Sequence, residues 1–136
     1  MSKRVILVGH CNVDGPRLQS EIASCVQGAE VLRINSDNDL RRTCEEGGDL
    51  WLINREPVGF GRSAGVDLVR QVCGGHPGAK VMLVSDYPEA QADAVAAGAM
   101  PGFGKRDIGS PKLAETVRNA LNGDNPSDNP SGGNGQ

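Results

Sequence analysis

The sequence predicts an α/β fold, a doubly wound parallel sheet of five strands with helices on both faces. Two observations carry this. Five short apolar runs alternate with five stretches of helical spacing, and the first, third and fourth runs are continuously apolar rather than alternating. Strands covered by helices on both faces need that pattern. Right-handed crossovers then lay the strands parallel, and the carboxyl ends of the strands carry the site in such a sheet.

Residues 4–8 (RVILV) form the first strand, closed by Gly9. Residues 15–26 (GPRLQSEIASCV) place Leu18, Ile22, Cys25 and Val26 at helical spacing. The second strand, residues 29–35 (AEVLRIN), stops at Ser36 and Asp37, where a cap starts a helix over residues 37–46 that Gly47 and Gly48 end. Residues 49–54 (DLWLIN) are the third strand. After a glycine-rich loop, residues 65–73 put Val66, Val69, Val72 and Cys73 on one helical face, and Gly74, Gly75 and Pro77 end it.

Residues 79–85 (AKVMLVS) are the fourth strand. The alanine-rich helix at 88–99 has Pro88 in its first turn and Gly98 near its stop. Residues 100–105 (MPGFGK) are a short fifth strand. The last helix, 110–121, takes Ser110 as N-cap and Pro111 at its first position, with Leu113, Val117 and Leu121 one turn apart. The strand ends therefore present Gly9-His10-Cys11, Asn54-Arg55-Glu56, Ser85-Asp86-Tyr87 and Gly104-Lys105-Arg106.

The chain has 136 residues, which suits one domain with a single core. We place that domain at 1–122. Residues 123–136, without an apolar side chain to bury, read as a disordered tail. No apolar run approaches the length of a membrane span, and the N-terminus leads into too few apolar residues for a signal peptide, so a cytoplasmic protein is expected. The 17 acidic and 14 basic residues are interspersed, with few aromatics; this argues against nucleic acid as a direct partner. Cys11, Cys25, Cys44 and Cys73 form no C-x-x-C pair and read as reduced, small apolar fillers.

The segment AVAAGAMPGFGKR is similar, without a gap, to the pattern A-x-x-A-G-A-x-x-Y-L-x-K-P of response regulator receiver domains, the CheY-like superfamily. Lys105 falls on that family's lysine. VMLVSDYPE resembles its fourth strand, with Ser85 on the switch serine or threonine, and DLWLIN its third, with Asn54 on the phosphoryl-accepting aspartate. The resemblance covers residues 4–121. It implies a flavodoxin-like sheet of strand order 2-1-3-4-5.

The resemblance also implies phosphotransfer to an aspartate beside a magnesium ion held by two acidic residues. Such chemistry needs an anionic oxygen nucleophile and a hard cation with oxygen ligands. Here Asn54 is a neutral amide, and Gly9 and His10 stand at the acidic pair. Gly102 replaces the aromatic whose rotamer reports switching, and Arg106 replaces the proline after the lysine. The loop REPVGFGRSAG is about three residues longer than the family's usual one. This is the pattern of an atypical pseudo-receiver, with phosphotransfer expected to be lost.

Lys105 then needs a new counter-charge, and Asp14, Glu56 and Asp86 are all near enough in sequence. One reading is a buried hydrogen-bond cluster of Asn54, Ser85 and Lys105 that fixes the loops. The other is a ligand or metal sensor built on Gly9, His10, Asn54 and Lys105, for which His10, Cys11, Asp14 and Glu56 are the conceivable metal ligands. We expect neither a metal nor another cofactor, and no catalytic residue; a Cys11 nucleophile with His10 as base has no legible oxyanion hole.

Function is therefore expected to be phosphorylation-independent signalling by a stand-alone interaction module, because only the polar tail follows Leu121. Its partners would be proteins, with a histidine kinase or an output protein implied by the resemblance. A homodimer through the fourth helix, fifth strand and fifth helix is a further arrangement, using exposed Glu89, Gln91, Asp93, Arg118 and Asn119.

Overall fold

The computed structural model describes residues 3–122; the expected tail at 123–136 lies outside the described residues. The order is β1 (Arg4–Val8), α1 (Asp14–Cys25), β2 (Glu30–Ile34), α2 (Asp37–Glu46), β3 (Leu50–Asn54), α3 (Gly65–Gly75), β4 (Val81–Val84), α4 (Pro88–Ala96), β5 (Met100–Phe103), a 3-10 turn (Lys105–Asp107) and α5 (Pro111–Leu121). The strands form one sheet in the order β2-β1-β3-β4-β5, and every pairing is parallel.

The continuous apolar runs have the predicted cause. Val5, Leu7, Leu50, Leu52, Met82 and Val84 pack with Leu18 and Ile22 of α1 and Leu113 and Val117 of α5. Their neighbours Ile6, Val8, Trp51, Ile53, Val81 and Leu83 share the opposite core with Leu40 of α2, Leu68, Val69 and Val72 of α3 and Ala94 of α4. Successive strand residues point to opposite faces, so both sets must be apolar. Each fully buried aliphatic side chain contributes roughly 1.5–3 kcal/mol by leaving water.

Local signals differ in how they resolve. Ser36 caps α2, its side chain accepting from the Asp39 N–H at 3.1 Å. Ser110 occupies the N-cap position of α5 but makes no side-chain cap bond; its hydroxyl donates to the Asp107 carbonyl at 2.8 Å. The fifth strand stops at Phe103, so Lys105 opens a 3-10 turn instead of ending the strand. There the Asp107 carboxylate accepts from the Gly104 N–H at 2.9 Å and the Asp86 carboxylate from the Arg106 N–H at 3.2 Å.

The β4–β5 pairing is irregular. Met82 pairs with Met100 and Val84 with Phe103, so β5 carries one residue more than β4 between them. Pro101, which has no N–H, sits within this bulge on an edge strand.

Among the described residues no helix is long and apolar enough to cross a membrane.

Candidate functional site

β1, β3 and β4 and the turn after β5 deliver Gly9, Asn54, Ser85 and Lys105 to one edge of the sheet. The end of β1 is closed. Gly9 has φ +74°, and a Cβ there would lie 2.4 Å from the Cβ of Pro57. The Val58 N–H donates to the Gly9 carbonyl at 2.8 Å. The long β3–α3 loop therefore occupies the space into which a side chain at position 9 would project.

Asn54 completes that closure. Its Nδ2 donates to the Gly9 carbonyl at 2.9 Å and to the Glu56 carbonyl at 3.1 Å, tying β3 to β1 and to its own loop. Both bonds need a donor. A carboxylate at this position could make neither.

His10 turns inward and is 1% exposed. Its Nε2 lies 2.9 Å from the Leu52 carbonyl, and a carbonyl only accepts, so Nε2 carries the proton. Nδ1 is buried without a partner. Burial lowers the His10 pKa from 6.5 to about 4; the Leu52 carbonyl opposes this, Lys105 and Arg33 lower it further, and Asp14 raises it.

The unfolded chain therefore binds the His10 proton more readily than the folded one. Stability from this group is present above the unfolded pKa of 6.5 and is lost as the pH falls toward about 4. Between about pH 7 and pH 5 we predict a loss of about 2 kcal/mol from His10 alone. Urea unfolding of wild type and His10→Gln at both pH values checks this: the variant should lack that part of the slope.

Of the three carboxylates near enough in sequence to pair with Lys105, the structure selects Asp14. The Lys105 Nζ lies 3.1 Å from the Asp14 carboxylate, with the lysine side chain 44% exposed, so the pair is worth at most about 1 kcal/mol. Glu56 meets Arg55 at 3.6 Å, and Asp86 is taken by the Arg106 N–H. Ser85 is buried, and its hydroxyl oxygen accepts from the Tyr87 N–H at 3.1 Å.

The expected Asn54–Ser85–Lys105 cluster is thus not what forms. Asn54 and Ser85 each bind backbone, while the lysine head reaches α1. The expected sensor set is divided too. Asn54 and Lys105 line a cavity of about 530 Å³ with Cys11, Ser85 and Arg106, but His10 is held by Leu52 and Gly9 is covered by Pro57.

The magnesium that the receiver resemblance implies does not fit these residues. The side-chain space at Gly9 is filled, His10 is committed to a carbonyl, and Asn54 presents an N–H to its neighbours. Nor do His10, Cys11, Asp14 and Glu56 assemble as ligands; among the described residues no three His, Cys, Asp or Glu side chains gather to hold a metal ion. The four cysteines are free thiols. Burial pushes the thiols of Cys25, Cys44 and Cys73 above their ordinary value.

Gln91 and Gly102 form a constraint that sequence reasoning missed. The Gln91 Nε2 donates to the carbonyls of Leu83 at 2.9 Å, Ser85 at 3.0 Å and, more weakly, Phe103 at 3.4 Å, while its Oε1 accepts from the Gly102 N–H at 3.1 Å. A Cβ at Gly102 would lie 2.3 Å from the Leu83 carbonyl oxygen. Position 102 is therefore glycine because β4 backbone runs against it, and Gln91 satisfies the polar groups exposed by the bulge. Gln91 was expected on an exposed pairing face, but it points under the helix. Pro101 and Gly102 inside a short strand, the residues that mark a bulge, were the available signal.

No protein-family model matches the chain, and no curated protein sequence does. Solved structures do. A response regulator from Thermotoga maritima superposes with a TM-score of 0.71 at 18% identity, over 90% of this chain and 99% of that one. A CheY-like receiver domain protein from Methanospirillum hungatei gives 0.68 at 20%, over 90% and 95%. A response regulator from Burkholderia pseudomallei, with a phosphorylated aspartic acid and a calcium ion, gives 0.66 at 18%, over 89% of this chain and 66% of that one.

The chain has the receiver fold. Within that receiver fold, the sheet edge that carries Asn54 and Lys105 is the one the sequence resemblance marks as the phosphorylation site. Here it is cross-braced by an amide, a proline and a buried histidine.

Proposed function

We propose that the chain is an atypical receiver-type signalling module that acts without phosphotransfer, by contact with a protein partner, and is not an enzyme. One observation carries this: the Asn54 side chain donates to the Gly9 and Glu56 carbonyls, so the position that would accept a phosphoryl group serves as a brace. The Burkholderia pseudomallei structure, with its phosphorylated aspartic acid, marks the contrast. An amide lacks the charge and nucleophilicity to form an acyl phosphate.

The test is incubation of the wild type with a small phosphodonor and magnesium, followed by intact mass. We expect no adduct. A phosphoryl adduct that disappears in Asn54→Ala would overturn this reading.

Partners in this proposal are a histidine kinase or an output protein, and a homodimer through α4, β5 and α5 is the symmetric alternative. On that face Gln91 and Arg118 contribute less than their exposure in sequence implied. Gln91 is spent on β4 and β5, and the Arg118 Nε donates to the Cys25 carbonyl at 2.8 Å. Val95, 45% exposed, is the apolar group that α4 leaves there.

A second reading, a small-ligand sensor, is supported by the cavity of about 530 Å³ between Asn54, Ser85 and Lys105.

A further inference from the structure

A second and larger cavity, of about 860 Å³, lies between the β3–α3 loop and α4. Its lining includes the apolar Ala64, Val66 and Ala90, and α4 contributes Glu89 and Asp93. These two carboxylates are one helical turn apart, so they face the same way. Gln91, between them in sequence, points instead to β5. The groove is therefore on the side of α4 away from β5.

The groove is preformed. The loop that makes its outer wall is pinned by buried Phe60, by Pro57 against Gly9, and by the Gly65 N–H donating to the Arg55 carbonyl at 2.7 Å. At Gly59, with φ +92°, a Cβ would lie 1.8 Å from the Asn35 carbonyl oxygen, so the loop backbone rests directly on the end of β2. A wall held this way needs little ordering when a ligand arrives.

The two cavities share a wall made by Arg55, Glu56, Val58 and Tyr87, so they form one furrow across the sheet edge. On this ridge Val58 and Tyr87 are 48% and 52% exposed, and the Arg55 guanidinium lies 4.6 Å from the centre of the Tyr87 ring. One end is mainly acidic, and the other carries both signs. Among the described residues Glu89 and Asp93 make no salt bridge, and at the other end neither does the Arg106 guanidinium, which lies beside the paired Lys105 and near Asp86, whose carboxylate accepts from the Arg106 N–H. Arg62, from the β3–α3 loop, lines the same cavity as Glu89 and Asp93 and offsets part of its acidic charge.

We propose that this furrow docks a polypeptide segment of a partner protein, with a basic side chain against Glu89 and Asp93, an apolar one over Val58 and Tyr87, and an acidic one against Arg106. Each cavity alone has the size of a small-ligand site; joined they exceed it, and an open trough suits a chain that crosses the ridge. The paired carboxylates of α4 at one end and the Arg106 guanidinium at the other set the direction of the segment. The proposal deepens the interaction-module reading and rests on it.

The experiment selects linear dodecapeptides from a random phage library on the full-length chain. Enriched peptides are synthesised and measured by fluorescence anisotropy against wild type, Glu89→Lys with Asp93→Lys, Arg106→Glu, and Glu115→Lys on exposed α5 as control, each variant first shown to be folded by circular dichroism. We expect basic–apolar–acidic peptides that weaken about tenfold or more on each furrow variant and are unchanged on Glu115→Lys. Failure to enrich any peptide overturns the proposal, as do peptides insensitive to both furrow variants or weakened by Glu115→Lys. The phosphodonor assay on the same preparations is independent: an unlabelled wild type leaves the module reading standing if the furrow fails.

Discussion

Asn54→Asp, the single change that restores the acceptor suggested by the resemblance, will remain unlabelled by a small phosphodonor with magnesium and will be less stable than wild type. The amide donates to two carbonyls, Gly9 at 2.9 Å and Glu56 at 3.1 Å. A carboxylate would replace two attractive contacts by two repulsive ones at a buried position, at a cost of about 3 kcal/mol near neutral pH. Urea unfolding measures this. Those neighbours raise the pKa of the new carboxyl, so the penalty develops as pH rises above the unfolded carboxylate value, and it will be smaller near pH 4 than near pH 7.

Adding Gly9→Asp to rebuild the cation site will make matters worse. The new side chain must adopt φ +74° and displace Pro57, whose Cβ would be 2.4 Å away. We expect at least a further 2 kcal/mol of destabilisation, or a chain that does not fold. Efficient labelling of Asn54→Asp alone would show that the brace is dispensable and that a cation can reach the site.

The second large effect is expected at the β4–β5 bulge. Gln91→Ala leaves the Leu83 and Ser85 carbonyls and the Gly102 N–H without the partner that joins them to α4, at a cost of about 2 kcal/mol. Gly102→Tyr, the family-like residue, places a Cβ 2.3 Å from a backbone oxygen and should cost about 3 kcal/mol or more, because backbone cannot yield as a side-chain tip does. Hydrogen exchange reads the same event locally. The Ser85 amide, bonded to the Phe103 carbonyl at 2.9 Å, should exchange faster in both variants. Unchanged stability and exchange in Gln91→Ala would mean that water replaces the amide at no cost.

The site was legible in some respects and opaque in others. Asn54 could be singled out because a continuous apolar strand delivers one polar side chain at its end, and Lys105 because of the pattern around it. That Lys105 would choose Asp14 over Glu56 and Asp86 could not be read, since one opens α1 and the other two lie on loops, and the spacing allows any of the three contacts. Gln91 was placed with Glu89 and Asp93 on the exposed side of its alanine-rich helix, as a polar residue among polar neighbours. The bulge that draws it inward belongs to a strand pairing, not to the helix.

The sequence by itself determined the order of elements, the burial of β1, β3 and β4 on both faces, and the absence of a nucleophilic carboxylate at position 54. These follow from periodicity, caps and residue chemistry, which act over a few residues. Only the tertiary structure decided that Pro57 fills the space at Gly9, that His10 is buried against Leu52, and that the long loop and α4 enclose a cavity walled by Glu89 and Asp93. Those outcomes depend on how loops from different strands pack against one another. A displacement of an ångström or two there changes which groups meet, and no local pattern encodes it.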